Sequence, residues 1–457
     1  MKRLLSIFIT VLLASCSLDN KTGLWKDASN TPVDKQDTTS INDSKPNQQY
    51  ENLFIEKKTY NEEKKSLNPS NIKIDKPLKI IHWLEQYAVS TNNISNFFYT
   101  GNNKLLSRSK KLSNFTANKN YSNRNIVFYK NNLISYDHKG TIFTYSLDVK
   151  KKISQYNFYK KNFKNYEKKI YFIINKNILY VADNLGYLYA LNLNDNRIIW
   201  AKNYGIPFRS NLKFVDNQIL LANQDNVIYS IDANTGDKNW QYATSTTFLK
   251  SDFENNLALD LKNKNVFFLN TNGELYSINY STQKFNWFKK FKAASQTGDT
   301  ELFLSQPIVI KNNNLIISTK KSLLNYDVIT SEKKWNLTAE PNFKPIVTSG
   351  HTYVILKNNL LLCLENSTGN VIWSKNIFRN IEEKKIEKKF KLVIDFKIVN
   401  NQINIYSKNG YLLSFNSKNG KLNYLSRISK NGINSKIFFL NDNMFFVNNS
   451  NKLLKFN

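Results

Sequence analysis

The 457-residue chain is poor in the residues that usually punctuate or staple a fold, with 13 Gly, 8 Pro, 3 His and 2 Cys. Few glycines and prolines leave Asn, Asp and Lys to fill most turns. Two cysteines, Cys16 and Cys363, exclude a disulfide-built scaffold. His82, His138 and His351 lie far apart and show no metal-binding spacing. The acids of "ENNLALD" and "TGDTELF" read as solvated loop acids, so no catalytic set, metal site or cofactor site is nominated. Long apolar runs are also missing, and the mean hydropathy of −0.49 fits a soluble body and not a polytopic membrane protein.

Negative charge is the scarcer sign: 35 Asp+Glu stand against 65 Lys+Arg, for a net charge of +30. Such an excess can mark a surface that attracts nucleic acid or anionic lipid. It can also follow from composition, since Lys, Asn, Ile, Phe and Tyr are abundant together. The charge is scattered along the whole chain, which favours composition. The first residues, "MKRLLSIFITVLLASCSLDN", carry a basic start, an apolar run and then Leu13-Ala14-Ser15-Cys16. The run matches a secretory signal, and small residues before a cysteine resemble a bacterial lipobox. That resemblance implies cleavage before Cys16 and lipidation of Cys16, including an amide-linked acyl chain such as palmitate. Ser17 in place of Asp favours the outer membrane by the bacterial sorting rule. Cys363 is then the one thiol left, in the apolar run "NLLLCLEN", and reads as a buried core residue. The expected layout is a signal peptide over 1–15, a lipid-anchored flexible linker over 16–76 and a folded body over 77–457. Export makes nucleic acid an improbable partner.

What the chain has in abundance is one phrase, rewritten. "IYSIDANTGDKNW" (228–240) has copies ending at Trp200, Trp287, Trp335, Trp373 and Tyr424, with successive anchors 40, 47, 48, 38 and 51 residues apart from Trp200 onward. A looser copy lies at 133–156 and a truncated one at 444–456. Each unit reads as an apolar strand, a polar turn, an alternating strand, a tight turn and a last strand bearing the aromatic residue. Asp232 and Thr235 can bond backbone amides in the tight turn, Gly236 supplies its positive φ, and Asn stands in where Gly is missing. A fourth strand precedes each unit, as at 211–215, 306–310 and 344–348. Four strands per roughly 45 residues is the period of a propeller blade. The expected fold is all-β: an eight-bladed propeller of four-stranded antiparallel blades. Its last blade is expected to join 434–456 to a strand near Lys79–Tyr99, which hides the edges. Trp200, Trp240, Trp287, Trp335, Trp373 and Tyr424 are expected between blades as structural aromatics.

The pattern "(L/I)YxxD…TGxxxW" resembles the quinoprotein-type repeat. Behind a lipobox it is similar to the BamB family of outer-membrane protein assembly factors. The resemblance implies a non-catalytic lipoprotein on the periplasmic face of the outer membrane. Such a protein docks on BamA periplasmic domains beside other assembly lipoproteins and assists unfolded outer-membrane proteins. It also implies long docking loops after Trp240 and Trp287. Leu249-Lys250 falls where the family has Leu-Arg. "TGDTELFLSQP" is shorter than the family's second loop and lacks its acidic pair. Two alternatives stay open: an envelope propeller binding another cell-envelope component, and a quinone-dependent dehydrogenase with Ca²⁺. Against the latter, Cys363 has no neighbouring Cys for the vicinal disulfide common in such enzymes.

Overall fold

The computed structural model describes residues 16–18, 25–27, 58–112, 125–159, 163–246, 254–291, 303–379, 390 and 392–457. The chain divides into two units, Met1–Glu56 and Lys57–Asn457. In the first, Cys16–Leu18 pairs antiparallel with Trp25–Asp27. The second is an eight-bladed propeller, with eight four-stranded antiparallel sheets. Blade 3 illustrates the unit: an inner strand Lys213–Val215, then Gln218–Ala222, Val227–Asp232 and an outer strand Lys238–Ala243. The two middle strands are nearly all buried, while the outer strand alternates with solvent. The third strand, read as alternating, is therefore buried on both faces, and only the outer strand shows a clean period of two in its burial. Inner strands of blades 1 to 6 neighbour one another in sequence order around the axis.

Turn chemistry follows the composition. Asp232 Oδ1 accepts from the amides of Asn234 and Thr235 at 2.8 and 3.0 Å, and Thr235 Oγ1 from Asp237 at 3.1 Å. Left-handed backbone is carried mostly by Asn, Asp and Lys, including Asn196 (φ 59°) where blade 2 lacks the turn glycine. The apolar core is not one mass. It falls into clusters that straddle the joints between neighbouring blades, as between blades 2 and 3 (Trp200 with Leu221 and Ile231) and blades 6 and 7 (Trp373 with Ile405 and Leu413).

The closing blade differs from expectation. Its strands are Phe438–Leu440, Asn443–Val447, Lys452–Phe456 and, as the outer strand, Leu105–Lys111. The segment expected there, Lys79–Tyr99, instead passes around the inner ends of the blades at the propeller axis and bonds to the inner region of every blade. Trp83 exchanges backbone bonds with Phe128 of blade 1, and Ile174 of blade 2 donates to Leu84. Asn92 Oδ1 accepts from Lys213 Nζ of blade 3 at 2.7 Å, while its Nδ2 donates to the carbonyls of Leu257 and Ile308 in blades 4 and 5. Asn93 exchanges bonds with the Val347 backbone in blade 6, Phe97 donates to Ile398 in blade 7, and Ile80 accepts from Asn441 in blade 8. An edge strand needs alternation along one neighbour. This segment has none, because it meets eight neighbours in turn.

The packed chain also begins before residue 77. Tyr60 donates its amide to Thr338, Lys64 exchanges backbone bonds with Ser374, and Ile72 is buried in the cluster of blades 6 and 7. Residues 58–76 therefore lie along blades 5 and 6, which shortens the expected free linker by about twenty residues.

Candidate docking face

In a blade the antiparallel order puts the outer-to-inner connections and the turns between second and third strands on one side of the disc. On that side blade 3 leads into blade 4 through 244–255, and blade 4 into blade 5 through 291–308. These are the connections flagged after Trp240 and Trp287. Leu249 and Lys250 lie outside the described residues, as does all of "TGDTE". The described ends are firmly held. Thr244 Oγ1 donates to the Asn226 carbonyl at 2.7 Å and Ser245 Oγ to Glu274 Oε1 at 2.9 Å. Glu254 is ion-paired with Lys169 at 2.8 Å. Phe303 stacks on Phe291 and covers Gly273.

The repeated aromatics divide into two groups. Trp200, Trp335 and Trp373 are buried, and each lies against a glycine in the tight turn of the next blade: Gly236, Gly369 and Gly420. Their indole nitrogens donate to Ala233, Asn366 and Ser417 carbonyls of that blade, at 3.0, 2.8 and 3.2 Å. Trp240 and Trp287 stand half-buried, and the turns they face carry Gln283 and Ser331, with φ 61° and 63°, in place of glycine. Trp240 Nε1 has no hydrogen-bond partner among the described residues. Tyr424 is 45% exposed. No tight turn faces it, because the outer strand of blade 8 comes from the other end of the chain. The two half-buried indoles sit on the strands that feed the connections 244–255 and 291–308.

A cavity of about 440 Å³ opens on the same face, over the axial segment. Its wall includes Tyr87 and Trp83 of that segment, Phe303, Phe343 and Phe396, and the amides Asn256, Asn270 and Gln306. Lys169, Lys344, Lys397 and Lys436 also line it, with Glu254 and Asp395. Beneath it Lys213 and Glu85 form a buried pair at 3.0 Å. Burial raises the Glu85 carboxyl and lowers the Lys213 ammonium from their usual ranges, each opposed by the partner's charge. Sequence reading missed this cavity. The signal was a lysine placed just before an inner strand, at Lys169, Lys344 and Lys436, visible only once the blades are in register.

The fold is that of a quinoprotein-like propeller. A sequence model of the family described as outer membrane protein assembly factor BamB matches residues 168–375. The BamB of Moranella endobia is 20% identical over 223 residues, covering 44% of this chain and 55% of that protein. An uncharacterized protein of Rickettsia conorii is 24% identical over 248 residues, 51% of this chain and 59% of its own length. The chain thus spans a little over half the length of these curated relatives. Among solved structures, BamB from Moraxella catarrhalis aligns with a TM-score of 0.59 at 14% identity, over 77% of this chain and 98% of that one. Quinohemoprotein alcohol dehydrogenase from Comamonas testosteroni aligns with a TM-score of 0.57 at 10% identity, over 80% and 76%. At such identities the structures share the fold. Together with the family match, they make this chain similar to BamB proteins in sequence pattern and fold.

The dehydrogenase neighbours raise the question of a quinone and its Ca²⁺. Among the described residues no three His, Cys, Asp or Glu side chains converge as a metal site. Cys363 is buried on a middle strand with its thiol pushed up to about 12 by desolvation. The axis itself is filled by the chain's own 79–99 segment. This donor set does not fit a quinone–calcium centre, and no step is derived through one.

Proposed function

We propose that this protein is a non-catalytic scaffold of the outer-membrane protein assembly machinery. It is lipid-anchored through Cys16 on the periplasmic face of the outer membrane. Its two long connections, after Trp240 and Trp287, dock on the periplasmic domains of a BamA-like barrel protein, with Leu249 and Lys250 at the contact. The chain works beside the other assembly lipoproteins and supports folding and insertion of outer-membrane clients. The observation that carries this reading is the pair of connections 244–255 and 291–308 on adjacent blades, on one face, inside the stretch that matches the BamB family. A rigid disc supports such loops well: eight blades share their cores across joints, so the loops emerge from a fixed frame.

The test is affinity capture from detergent-solubilised envelopes. The BamA-like protein should co-purify with the wild-type chain, and Leu249→Glu with Lys250→Glu should reduce its recovery at least tenfold while the propeller's Tm stays unchanged. Recovery of other envelope components with no assembly protein would refute the docking reading.

A further inference from the structure

Among the described residues, the axial cavity gathers more positive than negative charge. Five ammonium groups surround or underlie it: Lys169, Lys213, Lys344, Lys397 and Lys436. Three carboxylates answer them. Glu254 pairs with Lys169 and Glu85 with Lys213. Asp395 pairs with Lys397 through Oδ1 and accepts the Ile437 amide on Oδ2, so both its oxygens are engaged. Among the described residues, Lys344 and Lys436 have no carboxylate partner. Lys344 reaches only the Pro345 carbonyl at 3.4 Å, and Lys436 lies over the Tyr87 ring at 4.5 Å. Both are partly buried, where an unpaired ammonium is costly.

We propose that this cavity is a binding site for a small organic anion, a carboxylate or phosphate carried on a flat apolar body. The oxyanion sits between Lys344 and Lys436, and the body lies against Tyr87, Phe343 and Phe303. The cavity is within the range of small-molecule sites, about 300–1,000 Å³. Asn256, Asn270 and Gln306 supply the few polar groups that orient a ligand. The site is independent of the docking reading, since it needs neither Leu249 nor Lys250. Burial and the neighbouring Lys397 and Lys436 push the Lys344 ammonium down to about 7. An incoming anion restores that proton, so binding is tighter at pH 6 than at pH 8.

The experiment is calorimetric titration of the purified full chain with phenylacetate and with phenyl phosphate. Phenylacetamide serves as the uncharged counterpart. One saturable site per chain is expected for at least one anion, and the tighter of the two identifies the oxyanion. Phenylacetamide should bind at least tenfold more weakly. Lys344→Met and Lys436→Met should each weaken the anion at least tenfold yet keep or raise Tm, because each removes an unpaired partly buried charge. Lys418→Met, an exposed lysine elsewhere, should change nothing. Several weak sites insensitive to Lys344→Met and Lys436→Met would mean that the +30 surface binds anions generally, and would overturn the site. So would equal binding of phenylacetamide, or a fall in Tm for both cavity variants.

Discussion

Two kinds of joint hold the propeller together. Where blade 6 meets blade 7, Trp373 is wholly buried, seats on Gly420 and donates to the Ser417 carbonyl. Where blade 3 meets blade 4, Trp240 occupies the same register position but stands half-buried, its nitrogen unpartnered among the described residues, opposite Gln283. The strand geometry is the same in both, with the indole opposite a third-strand residue next to a bulge. The difference lies one blade away, in whether the facing turn has a Cβ. A tryptophan locks a joint only when its neighbour leaves room. The two open joints, at Trp240 and Trp287, precede the connections 244–255 and 291–308, whereas the closed joint at Trp373 precedes 377–392, so openness follows the facing turn and not the length of the connection.

The largest test of this contrast is to remove the rings. Trp373→Ala should cost about 3–5 kcal/mol, the usual range for truncating a buried aromatic. Trp240→Ala should cost about 1 kcal/mol, near the average for a point substitution. Urea midpoints measure both; equal losses would mean that the open joint is no weaker than the closed one. Next is the turn itself. Gly236 has φ +75°, and an added Cβ would clash with the Trp200 ring. Gly236→Ala should therefore destabilise by about 1–3 kcal/mol through backbone strain and overpacking.

A third test separates joints from the axis. The folded-state pKa of Lys344, about 7, lies below that of an unfolded lysine, so the unfolded chain binds more protons between pH 7 and about 10.4. Wild-type stability from this group is thus lowest below pH 7 and recovers as pH rises through that window. The Tm advantage of Lys344→Met should fade from pH 7 to pH 10, while the Trp373→Ala deficit stays constant. A pH-independent Lys344→Met effect would assign that lysine no strained charge. The smallest effect is at the open joint: Gln283→Gly relieves a left-handed side chain and should gain up to about 1 kcal/mol, measured by Tm.

The repeat was readable because each blade rewrites the same strand–turn–strand phrase, and the Asp232–Thr235 turn and the outer-strand position of Trp240 follow from it directly. Whether a given Trp is locked was readable too, but only by looking one unit ahead for Gly236, Gly369 or Gly420. The axial segment was not. Asn92 and Asn93 use side-chain amides to reach four blades, and such contacts leave no period in the sequence. Tyr424 misled for a related reason: its facing turn is absent because Leu105–Lys111 closes the last blade from the other end of the chain. The cavity lysines were hidden by composition, one or two per blade in a chain with 65 basic residues.

The central claim is that the connection after Trp240 is a protein-docking loop. Its most direct measurement is titration of the purified chain with the isolated periplasmic domains of the BamA-like partner, wild type against Leu249→Glu with Lys250→Glu. Saturable one-to-one binding that the double substitution weakens at least tenfold, with Tm unchanged, is the predicted result. No binding by the wild type, or equal binding by both, would contradict it.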